Sequence, residues 1–149
     1  MRILIPDVDS VNSLPAVRYV IREFLSGDRF EVHLLHVRNA VHCAAADHAL
    51  QPARALLASV YVPYAVHLEA GDKARTILSV ARRISADRIV LGTARRWSAT
   101  RLSEDSVIQR VLDTAPMPVT LVAGKAVSRI ERYSVAVGLG AALGLILSA

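Results

Sequence analysis

Apolar residues along this chain fall into short unbroken runs, separated by stretches in which they recur every three or four positions. Residues 3–5 (ILI) and 89–91 (IVL) are runs of the first kind, and 30–37 (FEVHLLHV) and 119–122 (VTLV) are apolar stretches with a few polar residues set in them. Rich in Ile, Leu and Val, they read as strands buried on both faces. Between them, Leu14, Val17, Ile21 and Phe24 or Leu25 predict a helix over 13–25. Ser13 can cap it, Pro15 is tolerated in its first turn, and Ser26-Gly27-Asp28 ends it. Ala74, Ile77, Leu78 and Ala81 predict a second helix after a Gly71-Asp72 turn and cap. Val107, Val111 and Ala115, flanked by Ile108 and Leu112, predict a third, with Glu104 and Asp105 in its first turn and Pro116 and Pro118 beyond its end. Residues 63–69 alternate, with Tyr64, Val66 and Leu68 against Ala65, His67 and Glu69. That pattern suits a strand at a sheet edge. Residues 38–51 read as a loop, followed by a helix from Pro52 to about Tyr61.

The order is therefore β-α-β-α-β-α-β-α-β. Alternation at this spacing predicts an α/β fold, a doubly wound five-stranded parallel sheet with helices on both faces. The chain divides into a folded unit over 1–124 and a segment over 125–149, a basic linker followed by an apolar tail. With 149 residues there is enough chain for one domain with a real core. The formal net charge of +5 raises the question of nucleic acid. The arginines, however, are scattered over helix faces and loops, and no basic stripe interleaved with aromatics appears, so no nucleic-acid partner is expected. The single Cys43 excludes an internal disulfide and suits a reducing compartment. The apolar run at residues 3–5 is too short for a signal peptide, and the expected location is cytoplasmic.

Three stretches carry a resemblance: ILIP at 3–6, FEVHLLHV at 30–37 and EAGDKARTILSVARRISADRIVLGT at 69–93. With the loop and helix that follow, they resemble the universal stress protein family over about residues 2–122. The resemblance implies strand order 3-2-1-4-5, which periodicity alone does not give. In that order the switch point lies between strands one and four, and ligands of open α/β sheets bind there, outside the carboxyl ends. The family carries Gly-x-x-Gly, nine residues, then Gly followed by Ser or Thr, around ATP phosphates. Here the frame is kept without a gap, but its positions hold Gly92, Arg95, Asp105 and Ser106.

A phosphate loop uses glycines so that backbone N–H groups can approach the anion. Arg95 fills space that glycine leaves open, and Asp105 places a carboxylate where phosphate would sit. The aspartate usual at the end of strand one aligns with Val8, flanked by Asp7 and Asp9. The residues left to line the pocket are Pro6, Asp7, Val37, Gly92, Arg95, Ser106 and Val107. The expectation is a non-catalytic, dimeric stress-response domain with impaired or absent ATP binding and no cofactor. The alternative is an ATP or AMP binder in which Arg95, Arg96 or Lys125 supplies the charge. No Ser-His-Asp set, HExxH motif or Walker loop is present. Asp7, Asp9 and Asp105 could form a hard-cation site, but three loop carboxylates are usually solvated, and His42, Cys43, Asp47 and His48 match no zinc spacing and read as ordinary loop residues. In both cases no metal is expected. His33, His36 and His67 are expected to be packed or hydrogen-bonded, and Trp97 to be a lid or a partner contact.

Strand five, with Val119 and Leu121, is an apolar edge, and the resemblance implies a homodimer through it. A further protein partner is expected but not identified. Residues 133–149 carry no charge, and Gly140 and Gly144 form a Gly-x-x-x-Gly pair that lets helices approach closely. The run reaches the short limit of about 17 residues for a membrane span. Burial against its own or a partner subunit is the first reading, and membrane association through 133–149 the second.

Overall fold

The computed structural model describes residues 1–7, 13–38, 46–93, 101–124, 132–137 and 143–148. The elements are β1 (Arg2–Asp7), α1 (Ser13–Leu25), β2 (Glu31–Arg38), α2 (Ala46–Ser59), β3 (Tyr64–Ala70), α3 (Lys73–Arg83), β4 (Arg88–Thr93), α4 (Arg101–Thr114), β5 (Val119–Ala123), β6 (Arg132–Val137) and β7 (Leu143–Ser148). The sheet order is β3-β2-β1-β4-β5-β6-β7. Strands β1 to β5 are parallel in the order 3-2-1-4-5. β6 and β7 are antiparallel additions beyond β5.

Side-chain alternation sorts the core into two layers. Ile3, Ile5, Val32, Leu34, Val90 and Val122 face α1 and α2, meeting Val17, Val20, Leu50, Ala53 and Leu57. Leu4, Leu35, Val37, Ile89, Leu91 and Val119 face the other way, onto Ala74, Ile77, Leu78 and Ala81 of α3 and Ile108 and Val111 of α4. Because both faces of β1 and β4 are covered, their apolar runs are unbroken. Burial of each large side chain contributes roughly 1.5–3 kcal/mol. α3 begins as its sequence predicts: Asp72 is the N-cap, and its Oδ1 accepts from the Arg75 N–H at 2.9 Å.

Three expectations need correction. Helix α2 starts at Ala46, so Pro52 lies inside it and not at its start. An interior proline costs about 3 kcal/mol. The extra turns seat Leu50, only 2% exposed, in line with Ala53 and Leu57, and burying that leucine offsets about 2 kcal/mol. The added helical hydrogen bonds, about 1 kcal/mol each, offset the rest. Second, the tail forms strands where the glycine spacing had suggested helix contacts. Gly144 lies opposite Ala136 in the β6–β7 ladder, and Gly140 lies outside the described residues. Tyr133, Val135 and Val137 suit a strand better than a helix. Among the described residues, no helix is long and apolar enough to cross a membrane. Third, β5, read from Val119 and Leu121 as an edge strand, lies inside the sheet, and its outer side is occupied. Val119 pairs with Val137, and Leu121 with Val135. An unpaired strand edge is a row of unused hydrogen-bonding groups, and here the chain's own β6 uses them.

One ion pair adds to the ladder and core that join the two halves of the sheet. Arg88, at the start of β4, is paired in register with Ile3 of β1. Its guanidinium grips the Glu23 carboxylate of α1 through both Nη atoms. Both side chains are mostly buried, at 20% and 22% exposure. Removing one partner of such a pair leaves the other charge poorly solvated. Glu23→Ala should therefore lower unfolding free energy by about 2–3 kcal/mol. Replacing both residues with leucine should recover much of that loss, as read by urea denaturation. A Glu23→Ala midpoint equal to wild type would show that the pair contributes nothing.

On the outer strands, His33 and His67 meet nitrogen to nitrogen, Nδ1 to Nε2 at 2.9 Å. Their ring planes lie within 16° of each other, with centroids 5.2 Å apart. That separation is the N···N gap plus one ring radius at each end, so the rings lie end to end and share one proton. The Glu31 carboxylate lies 3.6 Å from His33 Nε2, beyond hydrogen-bond reach. It still favours the tautomer with the proton on that nitrogen, so that His67 Nε2–H donates to His33 Nδ1. Burial first, then the His33 and Arg83 charges, hold the His67 pKa below 6.5, against the pull of Glu69 and Glu31. A histidine with a depressed folded-state pKa binds fewer protons folded than unfolded. Its contribution is thus intact above pH 6.5 and lost as pH falls from there through the folded pKa. Thermal melts between pH 7.5 and 5.5 should show a fall in Tm that His67→Gln makes shallower. Parallel pH profiles for the two proteins would refute this.

Candidate functional site

Strand β1 stands at the centre of the sheet, yet it is zipped to its two neighbours unequally. It pairs with β2 from Arg2↔Glu31 to Asp7↔His36. Its pairing with β4 is confined to Ile3↔Arg88 and Leu4↔Ile89, although β1 continues to Asp7 and β4 to Thr93. The cause is in the sequence. Met1 C=O accepts from Glu31 N–H of β2, and Arg2 C=O accepts from Asp87 N–H beside β4, both at 2.9 Å. Successive residues of a strand point their backbone groups to opposite sides, so Arg2, Leu4 and Pro6 aim at β4. Proline has no N–H to give. The ladder ends before Pro6, which leaves the β1–β4 pairing open at the switch point of the sheet.

The residues expected there are placed as follows. Pro6 is buried in β1, and Val37, 4% exposed, ends the buried run of β2. Gly92 is buried within β4 and pairs with Val122. The strand therefore extends beyond the apolar run 89–91 from which it is predicted. β4 runs on to Thr93, whose C=O accepts from Gly124 N–H at 3.3 Å. The β-branched residue after the glycine was the signal for that extension. The backbone of Asp7 closes β1 opposite His36. Val107 is half-buried and packs on the α3–α4 layer, while Ser106 is exposed. Pro6, Asp7, Val37 and Gly92 are thus brought to one end of the sheet, beside the unpaired stretch of β1 and β4. Val8, Asp9, Arg95, Arg96, Trp97 and Lys125 lie outside the described residues, as do His42 and Cys43. Among the described residues no cluster of His, Cys, Asp or Glu has the arrangement of a metal site.

Helix α4 changes the picture of the phosphate end. It begins at Arg101, so Asp105 is its fifth residue and not part of its first turn. The first four N–H groups of a helix lack an intrahelical acceptor and are the ones that can meet an anion. In α4 those within the described residues belong to Arg101, Leu102 and Ser103. The N–H groups of Asp105 and Ser106, aligned with the glycine-hydroxyl pair of the motif, fall one turn inside, where helix geometry directs them to the carbonyls of Arg101 and Leu102.

No curated protein matches this sequence. Solved structures share the fold. A universal stress protein from Archaeoglobus fulgidus is 23% identical with a TM-score of 0.65, over 81% of this chain and 97% of that one. A universal stress protein family protein from Arabidopsis thaliana with AMP bound is 16% identical, with a TM-score of 0.64, over 85% of this chain and 93% of that one. A universal stress protein in complex with cAMP is 16% identical, with a TM-score of 0.62, over 84% of this chain and 98% of that one. The family model of the universal stress proteins matches residues 1–123, and with the parallel 3-2-1-4-5 sheet the chain belongs to the universal stress protein family.

Proposed function

We propose that this protein is a non-catalytic universal stress protein whose nucleotide pocket is impaired, and that it works through self-association and a protein partner. The observation that carries the reading is the helical turn Arg101–Glu104 ahead of Asp105. It withdraws from any ligand the backbone N–H groups at the motif's last two positions. Asp105 itself adds a negative charge. A phosphate oxygen 4 Å away would meet repulsion of about 1 kcal/mol in water and about 4 at an intermediate effective dielectric. The second reading, an AMP or ATP binder with a modified loop, is favoured by the opening between β1 and β4 and by the AMP and cAMP complexes of proteins with this fold. In that reading Arg95, Arg96 or Lys125 supplies the charge.

ATP should bind no tighter than about 1 mM, a free energy of roughly −4 kcal/mol. Calorimetric titration with and without magnesium measures this, and micromolar affinity at the β1–β4 opening would overturn the reading. Replacing Arg95 and Asp105 together by glycine should tighten ATP binding about tenfold or more, equivalent to about 1.4 kcal/mol.

Self-association follows from the far end of the sheet. With β5 covered by β6, the edge open to a second copy there is β7. A homodimer through this end of the sheet is expected, formed by the apolar tail and not by Val119 and Leu121 directly. Light scattering of the full chain at tens of micromolar should give a dimer mass, and deletion of residues 130–149 should lower that mass or the solubility. A monomeric full-length chain would remove this part of the proposal.

A further inference from the structure

Away from the β1–β4 opening, the outer surface between α3 and α4 holds a depression of about 370 Å³. The volume lies within the range of small-ligand sites. Its floor is Ala74 and Leu78, buried parts of the α3–α4 core. Its walls are polar and basic. Arg75, Ser79 and Arg82 stand at i, i+4 and i+7, on one face of α3. Arg110 and Thr114 stand at i and i+4 on α4, facing them.

The charge here is not balanced from within. α3 carries Lys73, Arg75, Arg82 and Arg83 and no carboxylate. Arg83 is taken by Glu69, at 2.5 Å. Arg110 is held at 3.2 Å by Oδ2 of Asp72, whose other oxygen caps α3. The nearby Asp113 accepts from Gln109 at 2.9 Å. Among the described residues, no carboxylate pairs with the side chain of Arg75 or Arg82. Three guanidinium groups against one carboxylate leave two positive charges. They lie beside two hydroxyls, over an apolar floor.

We infer that this groove is a binding site for a diphosphate anion, gripped by Arg75 and Arg82 with Arg110 at its end. Guanidinium forks match phosphate oxygens through paired N–H donors, and a linked pair of phosphoryl groups matches both the charge and the spread of the arginines better than one phosphate. Seven residues of helix separate the Arg75 and Arg82 Cα atoms by about 10 Å, a gap their long side chains can close onto one ligand. Ser79 lies between them on α3, and Thr114 lies opposite, as hydroxyl donors to the remaining oxygens. The diphosphate can be free pyrophosphate or part of a nucleotide.

The test is calorimetric titration of the full chain with pyrophosphate, ADP and sulfate at matched low ionic strength. It is repeated on Arg75→Gln with Arg82→Gln, two exposed positions at which thermal melts should match wild type. Pyrophosphate should bind below about 1 mM, sulfate at least tenfold weaker, and the double variant should lose tenfold or more of the pyrophosphate affinity. ADP matching pyrophosphate identifies the free anion as the ligand. ADP binding more tightly, and lost in the double variant, identifies a nucleotide. Pyrophosphate binding no better than sulfate, or unchanged in the double variant, overturns the site. ADP affinity that survives the double variant belongs to the β1–β4 opening and counts against the impaired-pocket reading instead.

Discussion

A single missing hydrogen-bond donor shapes the middle of this molecule. Pro6 sits where the central strand should donate to β4, and the β1–β4 ladder stops at Leu4. Backbone hydrogen bonds therefore join the two halves of the sheet only at the amino ends of the strands. The two core layers, which run across both halves, supply the rest of the join, and Arg88 adds to it by reaching from β4 to Glu23 on α1. Pairing left open at one end is thus compatible with a continuous core.

Much of this architecture is legible in the residues. Unbroken runs such as IVL in β4 state burial on both faces, and the alternation of Tyr64, Val66 and Leu68 marks β3 as an edge, where Val66 and Leu68 stay more than a third exposed. Asp72 announces α3 by its position after Gly71. The misreadings have equally local causes. Pro52 looks like a helix start because proline favours that position, and only the tertiary seat of Leu50 pulls the helix past it. An apolar tail of small and β-branched residues has no periodicity that separates strand from helix, and the decision is made by the unpaired edge of β5.

The pocket was less legible than the fold. Alignment to a glycine motif identifies which side chains have changed, but not where the helix behind them begins. That boundary decides whether backbone N–H groups face a ligand or a carbonyl one turn back, and its sequence signal, Thr100 just before Arg101, competes with Ser103 as a helix start. The basic groove is hidden in the sequence for another reason. Arg75 and Arg82 belong to one helix and Arg110 to another, and their meeting depends on how α3 and α4 pack. The stripe of arginines at i and i+7 was the one sign available in advance.

Asp72 ties two of these features together. One of its oxygens holds the first turn of α3, and the other holds Arg110 at the mouth of the groove. The two duties ask for different chemistry. A helix cap needs only an acceptor, and asparagine performs that task as well as aspartate. Restraining a guanidinium needs the negative charge. The helix and the groove are thus separable by one atom: exchanging a carboxylate oxygen for an amide nitrogen would leave α3 in place while releasing a third arginine to whatever anion arrives. In this fold, local helix stability and the electrostatic appetite of a surface can drift apart in evolution through a single conservative substitution.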